Sequence, residues 1–220
     1  MASWREQAVA RTVDPVRARA EQRVQGFLDA ALELLAGESG KDFTVQEVVR
    51  QSGQSLRSFY QNFGGKHELL LALLEESVFK TATRLREAMA TEPDALSRLR
   101  RFTLEYHRLC RPPTQPRSSR SVEILGMAEF AQQLLTDDPK EAARAFAPIF
   151  ALLEEILDDA AAEGSIRPGL DRHAGAGAML QAIMFNSFAL TLSGAPVRGR
   201  GGDAEALWDL LVHGVAAEHP

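Results

Sequence analysis

Cysteine is almost missing from this chain of 220 residues: Cys110 stands alone. A single cysteine forms no intrachain disulfide and no cysteine-based zinc site. No apolar run approaches the roughly 20 residues of a membrane span. The N-terminal stretch MASWREQAVARTVDPVRARAEQR has no apolar segment of the kind a secretory signal needs. β-Branched alternation never extends beyond a few residues, so strands are not expected. These absences point to a cytoplasmic, all-α protein with neither a disulfide framework nor a metal or cofactor site.

Apolar residues make up 45% of the chain and charged residues 25%, enough for a core and ordinary for a water-exposed surface. The net charge of −5 hides an asymmetry. Residues 1–67 hold nine Lys/Arg against eight Asp/Glu, whereas residues 68–220 hold sixteen against twenty-two. A near-neutral head with local basic positions joined to an acidic body is compatible with DNA contact, without requiring it.

Helical periodicity runs throughout. Val24, Phe27, Leu28, Ala31, Leu34 and Leu35 repeat at three- and four-residue spacing, which predicts a first helix over 16–37 stopped by Gly37 and Gly40. In FTVQEVVRQSG, Thr44 and Glu47 fit a capping box, and the helix they open ends near Ser52-Gly53. Ser55 caps a second short helix, Leu56 to Asn62, and a long helix follows Gly65 until about Thr91. Five more helices are expected at about 94–110, 119–136, 139–164, 171–192 and 203–217, with Asp138 capping and Pro139 opening the third of these. Nine helices with short loops make a helical bundle.

Two short helices separated by three residues that include a glycine form a helix-turn-helix. The second is the reading helix, with Leu56, Arg57, Ser58, Gln61 and Asn62 on its exposed face and Phe59 and Phe63 turned inward. Tyr60 offers a ring that packs and a hydroxyl that reaches a phosphate oxygen. Lys66 lies in the first turn of the next helix, where its charge opposes the helix dipole; a phosphate nearby would explain it. On spacing alone, an ordinary helical hairpin with a packed aromatic pair is the competing reading.

FTVQEVVRQSGQSLRSFYQNFGGKHELLLAL resembles the DNA-binding segment of TetR/AcrR-type transcriptional regulators in Thr44, Gly53, Tyr60, Phe63, Lys66 and Leu69. EGSIRPGLDRHAGAGAMLQAIM is similar, more weakly, to a loop and helix later in that family. The Leu56-Arg57 pair departs from the family, which often has a polar or basic residue and then a small one. The resemblance implies a nine-helix TetR-like fold: a helix-turn-helix head over 1–67 on an effector-binding and dimerisation body over 68–220. It implies that Thr44, Tyr60 and Lys66 hold phosphates, and that Gln54, Ser55, Arg57, Ser58 and Gln61 lie near bases or flanking phosphates. The expected partners are a double-stranded DNA operator, a small apolar or amphipathic effector and a second copy of the chain, in a ligand-released repressor.

Arg5, Arg11, Arg17 and Arg19 read as a loose basic arm ahead of the first helix, either disordered or entering a minor groove. His107 and Cys110 share a helix face, the one arrangement that would suit an all-α enzyme, though nothing nearby supplies an oxyanion site. Glu154, Glu155, Asp158, Asp159 and Glu163 read as a solvated helix face. Phe102, Tyr106, Met127, Phe130, Phe150, Met184 and Phe188 are expected either to pack as core or to line an effector cavity between helices. Small residues at 174, 175, 177 and 178, Ala174 and Ala178 among them, with Leu207, Leu210 and Leu211 of the last helix, suggest half of a four-helix dimer interface. A helix-turn-helix architectural protein without a ligand is a further alternative.

Overall fold

The computed structural model describes residues 4–36, 42–110, 119–192 and 202–215, with side chains over 15–36, 42–110, 127–187 and 204–213. The described residues form nine α-helices and no strand: α1 Trp4–Leu35, α2 Val45–Ser52, α3 Leu56–Asn62, α4 Lys66–Met89, α5 Ala95–Leu109, α6 Ser119–Asp137, α7 Pro139–Ala162, α8 Arg172–Leu192 and α9 Gly202–Val215. The all-α expectation and its nine helices hold. The stops assigned to Gly37 and Gly40 lie outside the described residues.

The first helix is the main departure. It begins at Trp4, so the basic positions ahead of residue 16 belong to a helix rather than to a loose arm. Its N-terminal residues are good helix formers (Glu6, Gln7, Ala8 and Ala10), and Pro15 is carried inside the helix despite the backbone donor it lacks. Arg17 closes an i,i+4 pair with Glu21 at 2.7 Å, as a helical residue does.

The chain divides into two compact units, Met1–Leu73 and Leu74–Pro220, and the division falls inside α4. The first has an aromatic centre. Phe27, Phe43, Phe59 and Phe63 are all buried. Phe27 meets Phe59 and Phe63 nearly edge-on, at 5.4 and 6.1 Å between ring centroids, and such pairs add about 0.5–1.5 kcal/mol each beyond burial.

The second unit has a mainly aliphatic core that includes Leu99, Leu134, Ile149, Leu153 and Leu157, with Phe102. α7 packs against α5, α6 and α8. Gly164, in the left-handed region at φ 70°, ends α7, and the Ser165 amide returns to the Ala160 carbonyl at 2.9 Å.

The acidic run of α7 is a seam rather than a bare face. Glu155 takes both guanidinium nitrogens of Arg86 from α4, at 2.9 and 2.8 Å. Arg98 of α5 bridges Asp159 at 3.1 Å and Glu163 at 3.5 Å. Arg172 of α8 pairs with Asp158, and His173 meets Glu154 at 2.7 Å. Glu163 also accepts the Ala95 amide at 2.8 Å, which holds the start of α5. Near the other end of α7, Arg144 meets Glu75 of α4 at 3.0 Å. The periodicity of α7 exposed these carboxylates, but the cations that answer them lie on other helices.

Candidate nucleic-acid interface

α2 and α3 are built by local chemistry. Thr44 is extended and caps α2: its hydroxyl accepts the Glu47 amide at 3.2 Å, and the Glu47 carboxylate accepts the Thr44 amide at 2.7 Å and hydroxyl at 2.9 Å. The backbone bond from Thr44, then its hydroxyl, holds the Glu47 carboxyl below its ordinary range. Gly53 ends α2 in the left-handed region at φ 65°, which a glycine reaches without a Cβ penalty. Ser55 then caps α3, accepting the Ser58 amide at 3.1 Å. The two helices therefore start and stop where the sequence placed them.

α3 turns Phe59 and Phe63 inward, and its other residues fall into three rows at helical i,i+4 spacing. Arg57 and Gln61 are exposed opposite the buried rings. Leu56 and Tyr60 flank them on one side, 42% and 57% exposed, with the Tyr60 ring edge-on to Phe59 at 5.4 Å. Ser58 and Asn62 form the other flank and are half-buried; the Asn62 amide turns back to the Ser58 carbonyl at 2.7 Å. A row that donates and accepts beside a row that is apolar is a surface suited to base edges.

Two predicted contacts have work inside the head. The Gln54 amide donates to the Arg23 carbonyl at 2.8 Å and ties the turn to α1. Gly26 accommodates that brace: a Cβ there would come within 2.9 Å of the Gln54 amide nitrogen. Lys66 lies 4.5 Å over the centre of the Phe43 ring, a cation–π contact that holds the lysine in the first turn of α4. Sequence reasoning missed this partner, although an aromatic residue just before a helix cap is visible in the order Phe43-Thr44. A further brace, from the Gln51 amide to Glu33 at 2.5 Å, joins α2 to α1.

In the body, Phe102, Tyr106, Met127, Phe130 and Met184 are buried and Phe150 is half-buried, its ring edge-on to His173 at 4.9 Å. The side chain of Phe188 lies outside the described residues. His107 is buried and its Nε2 meets the Asn186 side-chain oxygen at 2.8 Å. Burial pushes the Cys110 thiol up to about 12, against which the hydrogen bond with Tyr106 acts only in part. That thiol is neutral at physiological pH and makes a poor nucleophile, so the face proposed for an enzyme lacks its activated group.

The two terminal helices split the expected interface. Ala174 and Ala178 are exposed on α8, Leu210 is 73% exposed on α9 and Leu211 is half-buried, but Leu207 is buried within its own chain beside Trp208 in sequence. Phe185 of α8, a residue that the sequence reading left out of this face, is 55% exposed. It continues the Ala174–Ala178–Gln181 row at helical spacing, the signal that would have found it.

Residues 27–73 match the family model described as bacterial regulatory proteins, tetR family. Over 57 residues the chain is 37% identical to the HTH-type transcriptional regulator SrpR of Pseudomonas putida; the match covers 26% of this chain and only 27% of that relative's length. Two solved structures are similar over most of the chain. The transcriptional regulator FadR of Bacillus subtilis, in complex with stearoyl-CoA, superimposes with a TM-score of 0.66 at 19% identity, over 86% of this chain and 98% of that one. A TetR family transcription regulator of Marinobacter aquaeolei gives 0.62 at 20% identity, over 92% and 100%. At these identities the structures show a shared fold.

Proposed function

We propose that this chain, a TetR-family regulator by its head and its fold, is a homodimeric repressor that leaves a palindromic operator when a small effector enters its body. The observation that carries the reading is the exposed Arg57/Gln61 row on α3, set opposite the buried Phe59 and Phe63 by a capped, glycine-turned hairpin. In this reading Arg57, Ser58 and Gln61 meet base edges, Thr44, Tyr60 and Lys66 hold phosphates, and Ser55 sets where α3 begins. Lys66 keeps its place over Phe43 while its charge serves the DNA backbone.

Two further parts complete the proposal. The exposed Ala174, Ala178, Phe185 and Leu210, with Leu211, support pairing with a second copy through α8 and α9. Pairing would set two reading helices roughly 34–36 Å apart, one DNA turn. In this reading Phe102, Tyr106, Met127, Phe130 and Met184 line the site of an apolar or amphipathic effector; FadR, which shares the fold and holds stearoyl-CoA, supports that class of ligand. A ligand that fits one spacing of the two heads better than another shifts the population toward it and away from the operator. The site of action in this reading is the cytoplasm. No helix among the described residues is long and apolar enough to cross a membrane.

The test begins with selection of duplexes from a randomised library, followed by salt titration of the enriched sequence. Wild type should enrich a palindrome, and Lys66→Ala should flatten the slope of log K against log salt by about one. Absence of any enriched palindrome would overturn the proposal. Release from the selected duplex by a panel of apolar and acyl compounds, weakened in Met127→Trp, tests the effector half.

A further inference from the structure

Leu56 is the apolar residue of the reading helix to which the phosphate-holding role gives no work. It is the first residue of α3, follows the Ser55 cap, and remains 42% exposed while Phe59 and Phe63 fill the interior beneath it. Capping is done by Ser55, so the start of α3 does not require a leucine at 56. Tyr60, one turn on, is 57% exposed on the same row, so the two form an apolar strip along one flank of Arg57 and Gln61. An exposed apolar strip bordered by hydrogen-bonding groups matches one feature of the major groove, the C5-methyl group of thymine, which stands beside the donors and acceptors of neighbouring bases.

We infer that Leu56 is a specificity-determining residue that seats a thymine methyl in each half-site, in register with bases met by Arg57 and Gln61. The inference rests on the DNA-binding reading above and deepens it. Leu56 selects by apolar contact. It therefore discriminates thymine from cytosine and from uracil, and it is indifferent to salt. Arg57 and the phosphate contacts respond to salt and are blind to the methyl.

The experiment uses the full chain and the duplex enriched by selection. Each thymine is replaced in turn by deoxyuridine, which deletes the methyl and leaves every hydrogen-bonding group in place. For wild type, one position per half-site should weaken binding about three- to tenfold, as loss of a buried methyl predicts, by the same factor at low and high salt. In Leu56→Ser, which changes an exposed side chain and should leave the melting temperature in place, that position should fall to less than a twofold effect. Sensitivity retained in Leu56→Ser, or spread evenly over all thymines, overturns the inference while the DNA-binding reading stands. An enriched site without thymine at any half-site position does the same. Failure to enrich any DNA overturns both.

Discussion

The head and the body are both helical, yet they are held together in different ways. In the head, the contacts that define α2 and α3 span three or four residues: Thr44 with Glu47, Ser55 with Ser58, Asn62 with Ser58. In the body, the defining polar contacts join residues far apart in sequence, as Arg86 with Glu155 and Arg100 with Glu205. Local capping sets where the two short helices of the head begin and end, while Phe27, Gln54 and Gln51 tie them to α1. A body held by distant side chains and aliphatic packing accepts many sequences, and this latitude is compatible with the effector role proposed for it.

The largest effect should come from Phe59→Ala. The ring is fully buried and touches Phe27, Tyr60 and Phe63, so its loss should cost about 3–5 kcal/mol, comparable to the whole stability of a small domain. Native-state hydrogen exchange should show protection lost over residues 20–73 and kept over α5 and α7. Simultaneous loss in both regions would break the contrast drawn above.

Next comes the pairing face proposed for the body. The chain weighs 24.1 kDa, so the dimer should weigh about 48 kDa by light scattering. Phe185→Glu with Leu210→Glu should give monomers at micromolar concentration, with the helical content and the head intact. A double variant that stays dimeric would move the interface elsewhere.

Gly53→Ala should cost about 1 kcal/mol in urea unfolding, because the backbone at φ 65° suits glycine. Gly53→Asn should cost less, since asparagine tolerates that region. Equal costs would place the penalty in side-chain volume rather than backbone conformation.

The smallest effect belongs to the seam. The Arg86 hydrogen bond holds the Glu155 carboxyl below its ordinary value of 4.5. The pair therefore stabilises the fold above that value and ceases to do so as the pH falls through the lowered one. Both side chains are more than half exposed, so Glu155→Gln should cost less than about 1 kcal/mol at pH 7. The gap between variant and wild type should close below pH 4.5; a gap that widened in acid would contradict this assignment.

The same contrast explains what could be read from the sequence. The ends of α2, α3 and α7 were legible because Thr44, Gly53, Ser55 and Asp138 act within a turn of their own position. The start of α1 was not, because a proline usually marks a boundary and Pro15 sits inside the helix. Gln54 and Lys66 were assigned to DNA from their place in the motif, and their partners, the Arg23 carbonyl and the Phe43 ring, appear only once the chain has folded. Leu207 lies in the interior, and the exposed Phe185 was not read out, because α8 and α9 are apolar on several sides, which leaves periodicity without a preferred face.

The seam along α7 has a consequence for the chain's field. A bare carboxylate acts on a phosphate as a monopole, whereas a carboxylate bonded to a guanidinium acts as a dipole, whose potential dies away faster with distance. Beyond about 8 Å at physiological ionic strength even monopoles are largely screened. Five carboxylates on one helix face three arginines and one histidine, so most of that acidity is cancelled close to where it arises. An acidic protein can in this way approach a polyanion, and in the proposed DNA-binding reading its attraction would be governed by the few cations of the head rather than by the sign of its total charge.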